Sequence, residues 1–315
     1  MSFTSALTSA ILPVLAIAGV GFVLGRFRDV DVEPLSTVTI YVLTPALVFA
    51  SLATTTLGGS AILAITVGVV GFTGAMVLLA EGVASLLGET GPVRSGLVLT
   101  SAFPNAGNYG IPLSAFAFGA VGRSTAVLYL TVQAVMMYTI GVYVASRGSA
   151  SDWRSAVVSV FKLPLVYAVL AAGLARAFDL VPPESGTVMQ TIGLTGDAAI
   201  PVMLLMVGIQ LANTDYGATL TRVWAPTTLK TLVAPVVSAG LALALGFQDP
   251  TVGRVFVLES AMPAAITPLI LTIEFGDGAG SDAPEYVSTT IMVTTLLSVP
   301  VLAVVIGLLQ AGIPL

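Results

Sequence analysis

The sequence predicts an all-α integral membrane protein with ten transmembrane helices arranged as two inverted five-helix repeats. Three observations indicate this fold class: the composition, the regular spacing of apolar windows, and a proline-containing motif that occurs in both halves of the chain. Hydrophobic residues make up 56% of the chain and charged residues 9%, and the mean hydropathy is +1.02. Such a chain has too few polar side chains to cover its surface in water, so we expect it to be surrounded by lipid.

Ten apolar windows have the length, about 20 residues, that a helix needs to cross the hydrocarbon core. The loops between them are short, and none is long enough to contain a soluble domain. The windows are called spans 1 to 10 in chain order. They cover residues 8–26, 34–53, 60–87, 95–118, 123–146, 155–178, 187–212, 222–246, 252–275 and 284–309.

The lysines and arginines predict how the spans are oriented. Eight of them fall on one side of the predicted membrane and three on the other. Because positively charged loops tend to stay in the cytoplasm, we expect a multi-pass protein of the cell membrane with both termini outside the cytoplasm. The eight are Arg26, Arg28, Arg94, Arg147, Arg154, Lys162, Arg222 and Lys230, and the three are Arg123, Arg176 and Arg254.

Spans 4 and 9 contain the motif that relates the two halves. Residues 101–106 read Ser-Ala-Phe-Pro-Asn-Ala and residues 260–265 read Ser-Ala-Met-Pro-Ala-Ala, so four of the six positions are identical. Proline in the middle of a span breaks the helix and frees backbone groups that lipid cannot satisfy. Two such breaks in corresponding places indicate the binding site of an inverted-repeat secondary transporter.

A further correspondence supports the repeat. Pro13 in span 1 corresponds to Pro164 in span 6, in the same order as the two breaks. Because five spans is an odd number, the second half enters the membrane with the opposite orientation. The predicted repeats are residues 1–150 and 151–315. The alternative explanation is a chance similarity between alanine-rich segments.

The composition excludes most enzyme classes. The chain has no cysteine and no histidine, which excludes disulfides, thiol catalysis and imidazole metal sites. It also has no glycine-rich loop ending in Gly-Lys-Ser/Thr, so we do not expect ATP hydrolysis. We predict a transporter, not an enzyme, with no nucleic-acid partner and no cofactor beyond a hypothetical sodium ion. The alternative function is an uncoupled channel, which would need a continuous polar pore or a carbonyl-lined filter.

Two asparagines in span 4 are the first candidates for substrate binding. Asn105 and Asn108 are three residues apart and would share one face of a near-helical segment. Their amide groups can donate to a carboxylate, and the positive ends of the interrupted half-helices would attract the same group. The alternative is that these asparagines cap the broken helix.

Glu259 is the candidate for a coupling-cation site. It immediately precedes the break in span 9, where unwound carbonyls are hard oxygen ligands suited to sodium or to a proton-exchanging water. The alternative is an acid near the outer interface that snorkels or pairs with Arg254. The residues that the cation hypothesis groups with Glu259 are Asn105, Thr131, Gln133 and Met262.

Three more charged residues and a small-residue pattern lie in the spans. Glu81 and Lys230, near the inner ends of spans 3 and 8, either form an ion pair or are independent interfacial charges. Asp197 in span 7 is expected to face the cleft or a subunit partner. Gly21 and Gly25 in span 1 have a spacing typical of close helix packing or dimerisation.

With these motifs the chain resembles the auxin efflux carrier family, part of the wider group that includes bile acid:sodium symporters. The resemblance covers essentially the whole length. Its most specific segment is Asn105-Ala-Gly-Asn108-Tyr-Gly110-Ile-Pro112-Leu113 in span 4. The placement of Glu259 is similar to that of a glutamate in the bile acid:sodium symporters. Further matching segments are residues 41–49 in span 2, 204–211 in span 7, and 261–263 with the following Pro268 in span 9.

The resemblance implies a division of labour between the helices. Spans 1, 2, 6 and 7 would form a scaffold domain, and spans 3–5 and 8–10 a transport domain that moves against it in an elevator-like alternating-access cycle. Discontinuous spans 4 and 9 would cross at mid-membrane and bind a small organic anion such as a carboxylate. Symport with sodium or protons and a homodimer through the scaffold spans are further implications. Residues expected at the crossing are Pro104, Asn105, Gly107, Asn108, Pro263 and Pro268.

Overall fold

In a computed structural model, which describes residues 12–28, 30–146, 161–213, 221–275 and 282–311, the regular elements are all helices. We number them α1 to α11 in chain order. Their bounds are Leu12–Phe27 (α1), Val32–Ala53 (α2), Gly59–Leu86 (α3), Gly91–Ala102 (α4), Ala106–Ala145 (α5), Pro164–Ala177 (α6), Thr187–Ala212 (α7), Trp224–Leu245 (α8), Pro250–Ser260 (α9), Thr267–Phe275 (α10) and Ala283–Gln310 (α11).

Within the described residues, six helices are long and apolar enough to cross a membrane: α2, α3, α5, α7, α8 and α11. The shorter apolar helices α1 and α6 lie in predicted spans 1 and 6. An all-helical protein with several membrane-crossing helices is therefore confirmed. The count of ten spans and the inversion of the two halves stay predictions.

Both predicted breaks are present. Helix α4 ends at Ala102 and α5 begins at Ala106, while α9 ends at Ser260 and α10 begins at Thr267. Helix α5 contains a third discontinuity at Gly119, whose φ of 62° and ψ of −145° are favourable for glycine alone. This residue separates the second half of span 4 from span 5, so the two predicted spans are joined without a loop.

Helices α1, α2, α6 and α7 pack against one another. A Cβ at Gly21 would overlap the carbonyl of Leu205, and a Cβ at Gly208 would overlap that of Ala18, so α1 and α7 are in backbone contact. Helix α2 packs against α6 and α7. The small residues of span 1 thus serve packing inside the chain. The predicted dimer contact remains a prediction.

The other helices form a second group. Helix α3 packs against α4, α5 and α8, helix α9 against α5, and helix α11 against α4 and α10. Three buried aromatic rings, Phe72, Tyr129 and Phe256, lie in the core of this group. The two groups contain the helices expected for scaffold and transport domains, and the functional roles of these domains remain a proposal.

The structure corrects the interpretation of Glu81 and Lys230. Glu81 forms an ion pair with Arg94, with 2.7 Å between the carboxylate and the guanidinium. Lys230 is 0% exposed and is therefore neither an interfacial charge nor a loop charge. Without Lys230, seven basic residues remain on the predicted cytoplasmic side and three on the other side, so the predicted orientation is unchanged. Two of the seven, Arg147 and Arg154, lie outside the described residues.

Candidate functional site

The two helix breaks cross in the interior and pair through their backbones. The amide of Asn105 donates to the carbonyl of Pro263 at 2.7 Å, and the amide of Ala265 donates to the carbonyl of Phe103 at 2.9 Å. Pro104 and Ala264 form the centre of this short antiparallel bridge. Each break thus satisfies backbone groups that the other exposes, as a membrane interior requires.

A polar side chain from a neighbouring helix stabilises each break. Nε2 of Gln133 on α5 donates to the carbonyl of Pro104 at 2.8 Å. Oγ1 of Thr294 on α11 accepts from the amide of Ala264 at 3.2 Å. Both supporting residues follow their break by about 30 positions, which is the relation expected between equivalent residues of two repeats. The sequence predicts Gln133 as part of the cation site with Glu259. It gives no prediction for Thr294.

A cavity of about 220 Å³ opens beside the crossing, between the two groups of helices. Among the described residues, its lining contains both apolar and uncharged polar side chains and no charged one. From the break side it is lined by Pro104, Asn105, Ala106, Gly107, Asn108, Gln133, Ala265, Ile266 and Thr267, and from the opposite side by residues that include Thr39, Thr44, Pro164, Met203, Met206 and Gln210.

Asn105 and Asn108 are available to a ligand in this cavity. Asn105 precedes the helical turn Ala106–Gly110, and its side chain makes no capping hydrogen bond. Among the described residues, neither side-chain amide has a protein hydrogen-bond partner. The capping alternative therefore finds no support at Asn105. Two unused amides facing a cavity are an arrangement that a ligand can complete.

Four of the six residues expected at the substrate site line the cavity: Pro104, Asn105, Gly107 and Asn108. The other two lie outside its lining. Pro263 contributes its carbonyl to the crossing, and the carbonyl of Pro268 accepts from Thr272 inside α10. The second half of each broken span begins at the cavity, since Ala106 and Thr267 both line it.

Glu259 is 0% exposed and lies on the α9 face that contacts α5. Its Oε1 accepts from Oγ of Ser114 at 2.5 Å, and its Oε2 has no hydrogen-bond partner. A Cβ at Gly110 would overlap Oε2, so the carboxyl packs directly on the backbone of α5. Within the part of the chain described, no ion pair joins it to Arg254.

The residues grouped with Glu259 in the cation hypothesis are not hydrogen-bonded to its carboxyl. Thr131 donates to the carbonyl of Val127 on its own helix, and Gln133 donates to Pro104. The amide of Met262 donates to the backbone carbonyl of Glu259, not to its side chain. Ser114 and Gly110 are the carboxyl's actual neighbours. No local sequence signal could have found them, because they lie about 145 positions from Glu259 in the chain.

A second cavity, of about 690 Å³, is lined mainly by residues of α2, α5 and α7. It shares no lining residue with the first. Arg123 on α5 and Asp197 on α7 line it and form an ion pair at 2.6 Å between guanidinium and carboxylate. Asp197 thus faces a cleft, one of its two predicted positions, and its ion pair joins the two groups of helices.

Comparison with known proteins places the chain in a family. A family model described as membrane transport protein matches residues 6–306. An uncharacterized transporter from Methanothermobacter thermautotrophicus is 28% identical over 299 residues, which cover 92% of this chain and 94% of the relative. Since the family match extends over most of the sequence, the chain belongs to the membrane transport protein family.

Proposed function

We propose that this protein is a secondary active transporter that moves a small organic anion, such as a carboxylate, across the cell membrane by alternating access. The observation that carries the proposal is the cavity beside the crossing, which has two free asparagine amides and no charged side chain in its lining. Membership of a transport family supports the general activity. The substrate class follows from the chemistry of the site.

The cavity favours an anion through its backbone. The half-helices that begin at Ala106 and Thr267 both start at its wall, and a helix N-terminus carries roughly half a positive elementary charge. Asn105 and Asn108 add donors that can point at the same carboxylate. A site without a fixed countercharge can release its ligand more readily than one with a buried arginine.

Alternating access is supported by the pair of cavities. They share no lining residue, and both are bounded by one wall from each group of helices. The hydrogen bonds of the crossing and those of its supports at Gln133 and Thr294 lie within the second group. That group can therefore move against α1, α2, α6 and α7 and carry an intact site with it. A homodimer through these four helices would hold them fixed.

Separate cavities favour a carrier over the alternative of an uncoupled channel. A channel needs one continuous polar path, whereas the two cavities share no lining residue. In the proposed cycle each cavity opens only while the other is closed.

We propose Glu259 as the coupling-cation site, for sodium or a proton. Its buried carboxyl, with one oxygen that lacks a partner, needs a compensating positive charge or a proton in the membrane interior. Its neighbours Gly110 and Ser114 belong to the helix that begins at the substrate cavity. Occupancy of the carboxyl would thereby affect the start of that helix and the asparagines on it.

The experiment that tests the anion site uses purified protein and single alanine variants at Asn105 and Asn108. Small carboxylates, each with its uncharged amide analogue, are screened for a rise in Tm, and the best one is used for uptake into proteoliposomes. We expect each variant to bind the anion roughly 10- to 100-fold more weakly, since a hydrogen bond to a charged group contributes about 1.5–3 kcal/mol.

Gln248→Ala is the matched control for this experiment. Gln248 is exposed, and its side-chain oxygen accepts from Ser60 far from the crossing. This variant should bind and transport as the wild type does. Unchanged flux in both asparagine variants would remove these residues from the binding site and contradict the proposal.

A further inference from the structure

Lys230 is a buried basic residue that the proposed transport cycle has not yet used. It lies on a widened helical turn, Leu229–Val233, within α8, a distortion that is frequent at functional sites. Its side chain is 0% exposed. Within the described residues no carboxylate lies within ion-pair distance of it. Such a lysine is costly in a membrane protein and is by default a functional hypothesis.

The ammonium group of Lys230 contacts the end of a half-helix. Its Nζ donates to the backbone carbonyl of Ser260 at 3.2 Å. Ser260 is the last residue of α9, directly before the break. The carbonyls of Val257, Leu258 and Glu259 accept from the amides of the two residues that follow the helix, whereas the carbonyl of Ser260 accepts from the lysine.

Two further contacts fit this placement. Nζ lies 5.5 Å from the centroid of the Phe72 ring, on its face, where a ring attracts a cation. Oγ of Ser260 is 3.0 Å from the hydroxyl of Tyr129. The carbonyl end of a helix carries a partial negative charge, so helix end and ring both attract positive charge to this point.

The carbonyl end of a broken helix is where secondary transporters coordinate sodium or a proton. We infer that Lys230 is a resident cation, which supplies at the carbonyl end of α9 the charge that a metal ion would otherwise bring. The inference rests on the proposed function, because it takes the break as part of a transport site. It deepens that function, since a charge fixed to the chain removes the need for sodium at the carbonyl of Ser260.

The first break provides an internal comparison. Ser101 occupies the motif position of Ser260, but the chain has only one other lysine, Lys162, which is exposed at the start of span 6. The two breaks therefore differ in the charge behind them. The positive charge lies at the second break, whose helix also carries the buried Glu259.

The test is chemical rescue, measured as Tm without any substrate. Lys230→Ala removes the cation and leaves a cavity that fits propylammonium. The three carbons and the nitrogen of propylammonium replace Cγ, Cδ, Cε and Nζ of the lysine. Wild type and variant are compared in choline, sodium and propylammonium chloride at equal ionic strength. We expect the variant to melt roughly 5 °C lower in choline and to recover about half of this loss in propylammonium, with saturation, because a ligand that binds only the native state stabilises it.

Two control variants separate charge from packing. Lys230→Met fills the space without a cation, so it should melt below wild type and should not respond to propylammonium. Lys162→Ala should behave as wild type in all three salts. A response of wild type equal to that of Lys230→Ala would mean a general solvent effect, and Lys230→Met with wild-type stability would mean that the lysine only fills volume. Either result would overturn the inference.

Wild-type protein and Glu259→Gln decide the matter if neither Lys230 variant folds. The Tm of each is then measured in sodium against choline. A sodium-specific rise that persists in Glu259→Gln would place a metal cation at the carbonyl end of α9 and overturn the inference, whereas no sodium-specific rise in Glu259→Gln would support it. These measurements need no substrate, so failure of the anion-site proposal at Asn105 and Asn108 is distinguishable from failure here.

Discussion

The two helix breaks share one backbone bridge and differ in their side chains. Both follow a Ser-Ala-x-Pro sequence, and each satisfies the other through one pair of backbone hydrogen bonds. The first break continues with Asn105 and Asn108, whose amides face the cavity. The second continues with two alanines and has Glu259 and Lys230 buried in the helices behind it. We therefore propose ligand binding at the first break and charge compensation at the second.

This difference teaches how a duplicated motif divides its work. The bridge involves both breaks because each proline leaves backbone groups that lipid cannot satisfy. Side chains can then diverge, since the crossing does not depend on them. Residues that can bind a ligand can then occur at one break, and buried charged residues at the other.

The largest effect is expected at Gly110. Here the carboxyl of Glu259, on the helix before the second break, packs on the helix that follows the first break. Gly110→Ala places a methyl group onto the Glu259 carboxyl, which is buried and hydrogen-bonded to Ser114 and cannot move freely. We expect a loss of about 1–3 kcal/mol of stability, as for other overpacked cores, measured as a fall in Tm. Transport should fall as well.

Gly107→Ala is the matched variant for this prediction. The nearest atoms to its added Cβ are those of Leu130, at an ordinary contact distance of 3.6 Å. It should keep nearly wild-type Tm although it lies on the same turn. Equal losses at the two glycines would mean that helix propensity, not the carboxyl, decides the outcome.

A comparable effect on stability is expected at the two supports of the crossing. Gln133→Leu leaves the carbonyl of Pro104 without its donor, and Thr294→Val leaves the amide of Ala264 without its acceptor. Each should cost about 1–3 kcal/mol, because a buried polar group is left unpaired. Chemical denaturation or Tm measures the loss.

Anion binding separates these two variants further. Gln133 lines the proposed substrate cavity and Thr294 does not, so only Gln133→Leu should also weaken binding. Equal binding by both variants would argue that Gln133 acts on the backbone alone. In that case the binding role of the first break would rest on its asparagines.

The smallest effect on stability is expected for the ion pair of Arg123 and Asp197. The Asp197 side chain is 62% exposed, and exposed ion pairs contribute about 0.2–1 kcal/mol. Asp197→Asn should therefore leave Tm nearly unchanged. Because the pair joins the two groups of helices beside the larger cavity, its loss should favour opening of that cavity.

Opening can be followed by labelling a cysteine placed at Ser124, which lines the same cavity in this naturally cysteine-free chain. Labelling should be faster with Asp197→Asn than without it, and the difference should shrink in high salt. Identical labelling rates would exclude the pair as a contact that closes the cavity.

Local sequence patterns predicted the breaks and four residues of the cavity lining. Pro104 and Pro263 have no amide donor and clash with the preceding turn of a helix, and Asn105 and Asn108 follow the first proline within four residues. The environment of Glu259 was not predictable in this way, because its neighbours Gly110 and Ser114 are about 145 positions away in the chain. Lys230 was misplaced for a related reason: a position near one end of an apolar window does not reveal which face of the helix is buried.

The sequence by itself determined that this protein is helical, lies in a membrane, and interrupts two of its helices at matching prolines. Composition and local chemistry suffice for these properties, because the bilayer accepts few structures and proline acts on its own helix. The tertiary structure alone decided that Glu259 packs on Gly110, that Lys230 reaches the carbonyl of Ser260, and that Arg123 joins Asp197. These contacts depend on how separate helices rotate and pack against each other, which no local pattern specifies.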